Sequence, residues 1–127
     1  MLRKIMAMAV TVLLLGALCV VEQIVVHRVT GEAMEQTKAI MADIRAQQLD
    51  RAQEKAHALD QAWDRKASRL EVMVDHGSTD DVRYALSKLL AALESGDEAA
   101  ALIYASELEG GIEHVYERQE FSLQNIF

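Results

Sequence analysis

Two histidines and the carboxylates beside them are the residues of this sequence whose types best suit chemistry. His76 directly follows Asp75, and His114 lies 38 positions further along the chain. Imidazole nitrogens and carboxylate oxygens are ligands that zinc takes in proteins, so His76, His114 and Asp75 form a candidate metal site if the fold brings them together. Histidine also titrates near neutral pH, which would suit a pH sensor. No His-x-x-x-His pair pre-forms such a site, and a structural hydrogen-bonding role for both histidines is the favoured interpretation.

Motifs that would indicate catalysis are missing from the sequence. Glu113 and Glu117 are four residues apart, but an exposed acidic helix face is far commoner than a catalytic carboxylate pair. The sequence contains no glycine-rich phosphate loop, no Cys-x-x-Cys and no serine nucleophile motif. The one cysteine, Cys19, lies in an apolar stretch and has no second cysteine with which to form a disulfide. We therefore expect no enzymatic activity and no cofactor.

The last seven residues are an apolar, uncharged segment. Such an end frays unless it docks, either on its own domain, which is the favoured alternative, or on a partner protein. The candidate partner-binding residues are Leu123, Asn125, Ile126 and Phe127.

An N-terminal apolar stretch predicts a membrane helix. At about 1.5 Å per residue, Ile5–Val26 makes a helix of about 33 Å, which is enough to cross a hydrocarbon core of about 30 Å. Glu22 lies near its end, where a carboxylate can reach the interface. Arg3 and Lys4 precede the stretch, as in an uncleaved signal anchor, and favour a cytoplasmic N-terminus with the remainder of the chain extracytoplasmic. We expect a single-pass protein of the cell membrane.

The remainder of the chain is expected to be all-α, because it has no proline and few aromatic residues. Apolar spacing predicts one helix from Glu32 to about Val74, a second over about Asp81–Glu94 and a third over about Asp97–Gln119. Short connections favour an antiparallel three-helix bundle after the anchor. The Gly110-Gly111 pair predicts a kink or a close helix contact. The expected core anchors are Trp63, Leu89, Leu93 and Ile112.

Three regions follow from this pattern, and their charges differ. They are a signal-anchor or transmembrane helix (1–28), a helical stalk (29–54), and a helical bundle with an apolar C-terminal tail (55–127). Residues 28–69 hold eight Lys/Arg against seven Asp/Glu, whereas residues 70–127 hold three against twelve. The acidic bundle should repel nucleic acid and anionic lipid.

Several motifs of the C-terminal half occur together in a pattern that is typical of one family. They are Trp63-x-x-Lys66, Val74-Asp75-His76, Asp81-Val82, the Leu86/Leu89/Leu93 helix, Gly96-Asp97-x-Ala99, Ile112-Glu113-His114 and Ser122-Leu123-Gln124-Asn125-Ile126-Phe127. With these motifs the sequence resembles domain-of-unknown-function family 4363 over about residues 60–127. This resemblance implies a small bacterial protein with an N-terminal membrane helix and a helical remainder, and it assigns no activity.

Together these observations predict a non-enzymatic, single-pass membrane protein that presents an acidic helical bundle as a protein-interaction module. Its expected partner is another membrane protein or a second copy of itself, with no nucleic acid and no small-molecule substrate. The alternative hypothesis is an extracytoplasmic metal or pH sensor that uses His76 and His114.

Overall fold

The structure is a computed structural model that describes residues 1–70 and 76–126, with side chains described over 1–69 and 77–117. Within these ranges the chain forms four α-helices and no strand, so the predicted all-α class is confirmed. The helices are α1 (Leu2–Arg45), α2 (Leu49–Leu70), α3 (His76–Glu94) and α4 (Glu98–Ile126).

Helix α1 has two halves that differ in their surroundings. The first half is long and apolar enough to cross a membrane, and none of the residues in its most apolar window is buried against the rest of the protein. Leu13 and Leu14, for example, are largely exposed. Burial begins at Val26, and from there to Ile44 one face of the same helix lies in the protein core.

The turn between α1 and α2 lies where the sequence predicts an uninterrupted helix. Gln47 adopts a positive φ of 61°, and the Gln48 amide donates a hydrogen bond to the Asp43 carbonyl at 2.8 Å, an arrangement typical of a helix C-terminus. A glycine usually marks this conformation, and none occurs here, which is why the spacing of apolar residues did not reveal the break. The segment 29–54, predicted as a stalk, therefore contains the end of one bundle helix and the start of the next.

The four helices pack as an antiparallel ring in which each helix contacts its two neighbours in chain order and α4 returns to α1. The bundle has four helices rather than three because the second half of α1 supplies one of them. Lys55 Nζ on α2 lies 2.7 Å from the nearly buried Asp43 carboxylate on α1. Trp63 on α2 is buried, and its indole N–H donates to the Thr79 carbonyl on α3 at 3.3 Å.

The connection between α3 and α4 is the tight turn that the sequence predicts. Gly96 adopts a φ of 73°, and the Asp97 amide donates to the Ala92 carbonyl at 3.0 Å. Asp97 Oδ1 then accepts a hydrogen bond from the Ala100 amide at 3.1 Å, which caps the start of α4. Helix α3 begins earlier than predicted, at His76, and α4 continues beyond Gln119.

Candidate functional site

An open groove lies between α3 and α4. We call it the α3–α4 groove; it encloses about 560 Å³. Tyr84 lies on its wall with 66% of its surface exposed. The groove is lined by Asp81, Tyr84, Ala85, Ser87, Lys88, Glu107, Gly111 and His114.

A close approach of the two helices forms the floor of the groove. A Cβ added at Gly111 would lie 3.4 Å from Val82 Cγ2, in ordinary van der Waals contact, so α4 packs directly against α3 at this position. Gly110, one residue earlier, faces open space. The close helix contact predicted from the Gly110-Gly111 pair therefore occurs at Gly111, while α4 continues through both glycines.

Charged and aromatic side chains are paired across the groove. Lys88 Nζ on α3 lies 3.5 Å from a Glu107 carboxylate oxygen on α4 and 5.8 Å from the centre of the Tyr104 ring. Both members of the Lys88–Glu107 ion pair are about half exposed, so the pair adds little to stability. The Ser87 hydroxyl donates to the Arg83 carbonyl at 3.1 Å. These side chains offer a mixed polar and aromatic binding surface.

The candidate metal ligands are only partly placed by the structure. His114 is exposed and lines the groove. Because Gly111 lies opposite Val82 and the helices are antiparallel, His114 is level with about Thr79, within the first turn of α3. His76 is the first residue of that helix, but its side chain and the whole of Asp75 lie outside the described residues. Among the residues that the structure describes, no three His, Cys, Asp or Glu side chains form a group suited to a metal.

The other residues singled out in the sequence divide into a core set and a C-terminal set. The core set is buried: Trp63, Leu89, Leu93 and Ile112 are each at most 4% exposed. Leu123, Asn125 and Ile126 lie in the last turns of α4, but their side chains, and Phe127 entirely, are outside the described part of the chain.

A second pocket, not identified from the sequence, lies between α1 and α2, beside the apolar half of α1. We call it the α1–α2 pocket; it encloses about 280 Å³. Lys66 Nζ bonds to a Glu32 carboxylate oxygen at 2.8 Å across it. That hydrogen bond and the charge of Lys66, with a smaller contribution from Arg28, lower the pKa of Glu32. The lining residues are Ile24, Val25, Arg28, Val29, Glu32, Lys66 and Arg69.

An aromatic contact joins α1 and α4 at the same end of the bundle. The rings of His27 and Tyr116 meet edge to face, with their centres 4.5 Å apart and an interplanar angle of 81°. This contact holds the return of α4 against α1 just where α1 leaves the bundle. Both the α1–α2 pocket and this aromatic contact are formed by residues that are distant in sequence. The only sequence signal for the pocket is the local excess of basic residues near the end of α2.

Comparison with known proteins identifies a family. Residues 20–126 match the family model described as Domain of unknown function (DUF4363), which confirms the resemblance noted in the sequence and extends it toward the N-terminus. The matched region begins shortly before Val26 and thus includes the whole of the packed part of α1. No curated protein and no solved structure matches this chain.

Proposed function

The chain belongs to the DUF4363 family, and we propose that it is a membrane-anchored, non-catalytic bundle that binds another membrane protein through the α3–α4 groove. The observation that carries this proposal is the exposure of Tyr84 on the wall of a groove of about 560 Å³. Tyrosine supplies a large amphipathic contact area and is enriched at the centres of protein interfaces. We assign Tyr84 as the principal contact residue.

The charge of the surrounding surface favours a basic partner. Residues 70–127 hold three Lys/Arg against twelve Asp/Glu, and the groove lining carries the carboxylates of Asp81 and Glu107 against one cation, Lys88. Complementary charge accelerates association and disfavours partners of like charge. A second copy of this chain that used the same groove would present the same acidic surface, so the proposal commits to a different protein whose binding segment carries basic and apolar side chains.

The anchoring half of the proposal is supported by α1. Its apolar half projects beyond the packed helices, and a membrane would cover the side chains that the bundle leaves exposed. Arg3 and Lys4 at its start favour a cytoplasmic N-terminus, which would place the bundle outside the cytoplasm. The partner would then contact the groove from the same side of the cell membrane.

The assignment of binding rather than catalysis is supported by how the polar groups of the groove are engaged. The Ser87 hydroxyl donates a hydrogen bond to the Arg83 carbonyl, and Lys88 forms an ion pair with Glu107. A nucleophile would instead be hydrogen-bonded to a base that could take its proton. These contacts suit a recognition surface.

Site-specific photocrosslinking of the full chain in its native membrane tests the proposal. A photoreactive phenylalanine analogue replaces Tyr84, and the matched control carries it at Ile103, which is 60% exposed but does not line the groove. We expect one protein to crosslink at Tyr84 and not at Ile103. That protein should bind the purified full chain at least about tenfold more weakly after Tyr84→Ala, as at an interface hot spot, and equally well after Ile103→Ala. Equal crosslinking at both positions, or no effect of Tyr84→Ala on binding, would refute the assignment.

The second candidate is a metal or pH sensor, favoured by the register that brings His114 level with the first turn of α3. A calorimetric titration of the full chain with zinc distinguishes the metal sensor from the binding module. Zinc affinity that falls at least tenfold in His114→Ala, but not in a control changing the exposed His57, supports the sensor. Equal zinc affinity in the two variants excludes the metal sensor.

A further inference from the structure

We propose that the α1–α2 pocket binds the phosphate-containing headgroup of an anionic phospholipid. This inference rests on the membrane anchoring proposed above, because the pocket lies where α1 passes from its exposed apolar half into the bundle. Val21 and Ile24 are more than half exposed, whereas Val26 is buried. A headgroup at the boundary of the apolar half would therefore lie level with the pocket.

The pocket has the charge that an anionic headgroup requires. Its lining carries three cationic side chains, Arg28, Lys66 and Arg69, against the single carboxylate of Glu32. Arginine forms paired hydrogen bonds to phosphate oxygens, and basic clusters beside membrane helices bind anionic lipids. Within the described part of the chain, neither Arg28 nor Arg69 is engaged in an ion pair. The two guanidinium groups are thus available to a ligand.

The contact between Lys66 and Glu32 positions the cationic groups rather than neutralising the pocket. It spans the gap between α1 and α2 at 2.8 Å, so it holds the Lys66 ammonium group at the pocket rim. With one cation balanced by Glu32, the lining retains a charge of about two positive units from the arginines. This charge can balance the single negative charge of a phosphodiester.

The apolar lining and the size of the pocket favour a lipid over a peptide. Ile24, Val25 and Val29 form its apolar side and continue into the exposed apolar half of α1, along which acyl chains can pack. A volume of about 280 Å³ lies just below the usual range for small-molecule sites, so it suits a headgroup and not a whole lipid.

The charge at this pocket is opposite in sign to the net charge of the C-terminal half of the chain. Averaged over residues 70–127, the protein is acidic and should repel anionic lipid. Ten of the twelve acidic residues in this range, however, belong to α3, α4 and the turn between them, whereas the pocket is built from α1 and the end of α2. The other two, Glu71 and Asp75, lie outside the described residues. Because exposed charges are screened beyond about 10 Å at moderate ionic strength, the local cluster determines what binds there.

Native mass spectrometry of the full chain in a neutral detergent tests the inference. Phosphatidylglycerol and phosphatidylcholine with identical acyl chains are titrated separately against the wild type, the double variant Arg28→Gln/Arg69→Gln and the control Arg45→Gln/Arg51→Gln. The control removes two exposed positive charges from the same two helices, with Arg45 about 26 Å from Arg28 along α1. Trp63 fluorescence verifies that all three proteins keep a folded bundle.

We expect the wild type and the control to bind phosphatidylglycerol at least about tenfold more tightly than phosphatidylcholine, and the pocket variant to lose that preference. Equal binding of the two lipids by the wild type overturns the inference, as does an equal loss in both double variants. If alkaline carbonate extracts the wild-type protein from native membranes, the proposed anchoring is refuted, and the lipid site is refuted with it. Failure of crosslinking at Tyr84 would leave the lipid titration unaffected, so the two proposals can fail separately.

Discussion

Replacing Ile40 by alanine tests whether the second half of α1 is part of the core. Ile40 lies in the segment that the sequence predicts as a stalk, yet it is 0% exposed in the structure. It lies on the face of α1 that packs against the other helices, together with Ala33 and Ile44. A residue of an isolated stalk would instead be surrounded by solvent.

The expected cost follows from the burial of the side chain. Truncating a fully buried isoleucine to alanine lowers the free energy of unfolding by about 2–5 kcal/mol, through lost burial and the cavity that remains. A bundle of this size has a free energy of unfolding of about 5–15 kcal/mol, so the loss would be a large fraction of the total. If residues 29–54 were a solvated stalk, the same substitution would change it by no more than about 0.5 kcal/mol.

Guanidinium unfolding of the full chain in a mild detergent measures this difference. The single tryptophan, Trp63, is buried between α2 and α3, so its fluorescence reports on the bundle and not on the apolar half of α1. Ile103→Ala is the matched control, because it makes the same deletion at a residue that is 60% exposed. An Ile40→Ala variant that unfolds within about 0.5 kcal/mol of this control would refute the assignment of α1 to the core.

Two further predictions concern the neighbouring glycines of α4 and the ion pair at the α1–α2 pocket. Gly110→Ala should raise the free energy of unfolding by about 0.5–1 kcal/mol, because its Cβ would enter open space and alanine favours helix. Gly111→Ala should gain at least as much, because its Cβ would add an ordinary van der Waals contact 3.4 Å from Val82 Cγ2; a smaller gain for Gly111→Ala in thermal unfolding would contradict this. The lowered pKa of Glu32 means that its stabilising contact with Lys66 is complete above the ordinary carboxyl pKa and is lost as the pH falls through the lowered value. Lys66→Met should raise the pKa of Glu32 toward its ordinary value in an NMR titration of the side-chain carboxyl, and an unchanged pKa would exclude the pairing.

The elements that the sequence predicts best are those with strong local signals. Leu86, Leu89 and Leu93 give a clear apolar face, and Gly96 with Asp97 marks the turn that follows. These signals act within a few residues and need no knowledge of the rest of the fold.

The packing of α1 against α2 was not predicted because small residues form much of it. Ala33, Ala52 and Ala56 are buried, and alanine contributes little to an apolar pattern while allowing helices to approach closely. The turn at Gln47 likewise lacks the glycine that usually marks a left-handed residue. Both features become visible only when the helices are placed side by side.

The candidate sites were less predictable than the helices. The sequence indicates an exposed aromatic residue at Tyr84 no more strongly than at the other tyrosines. The α3–α4 groove depends on Gly111 packing opposite Val82, and the α1–α2 pocket on Lys66 reaching Glu32. Register between helices determines both, and register is not contained in the spacing of residues along any one of them.

The continuity of α1 makes the anchor and the bundle one mechanical unit. Since the helix runs unbroken from Leu2 to Arg45, a rotation or tilt of its apolar half carries the packed half with it. Each residue added between Glu22 and Val29 would turn the two halves by about 100° relative to each other and separate them by about 1.5 Å. The number of residues in that segment therefore determines two things. It sets the rotation of the α3–α4 groove about the axis of α1, and it sets the distance of the groove from the bilayer.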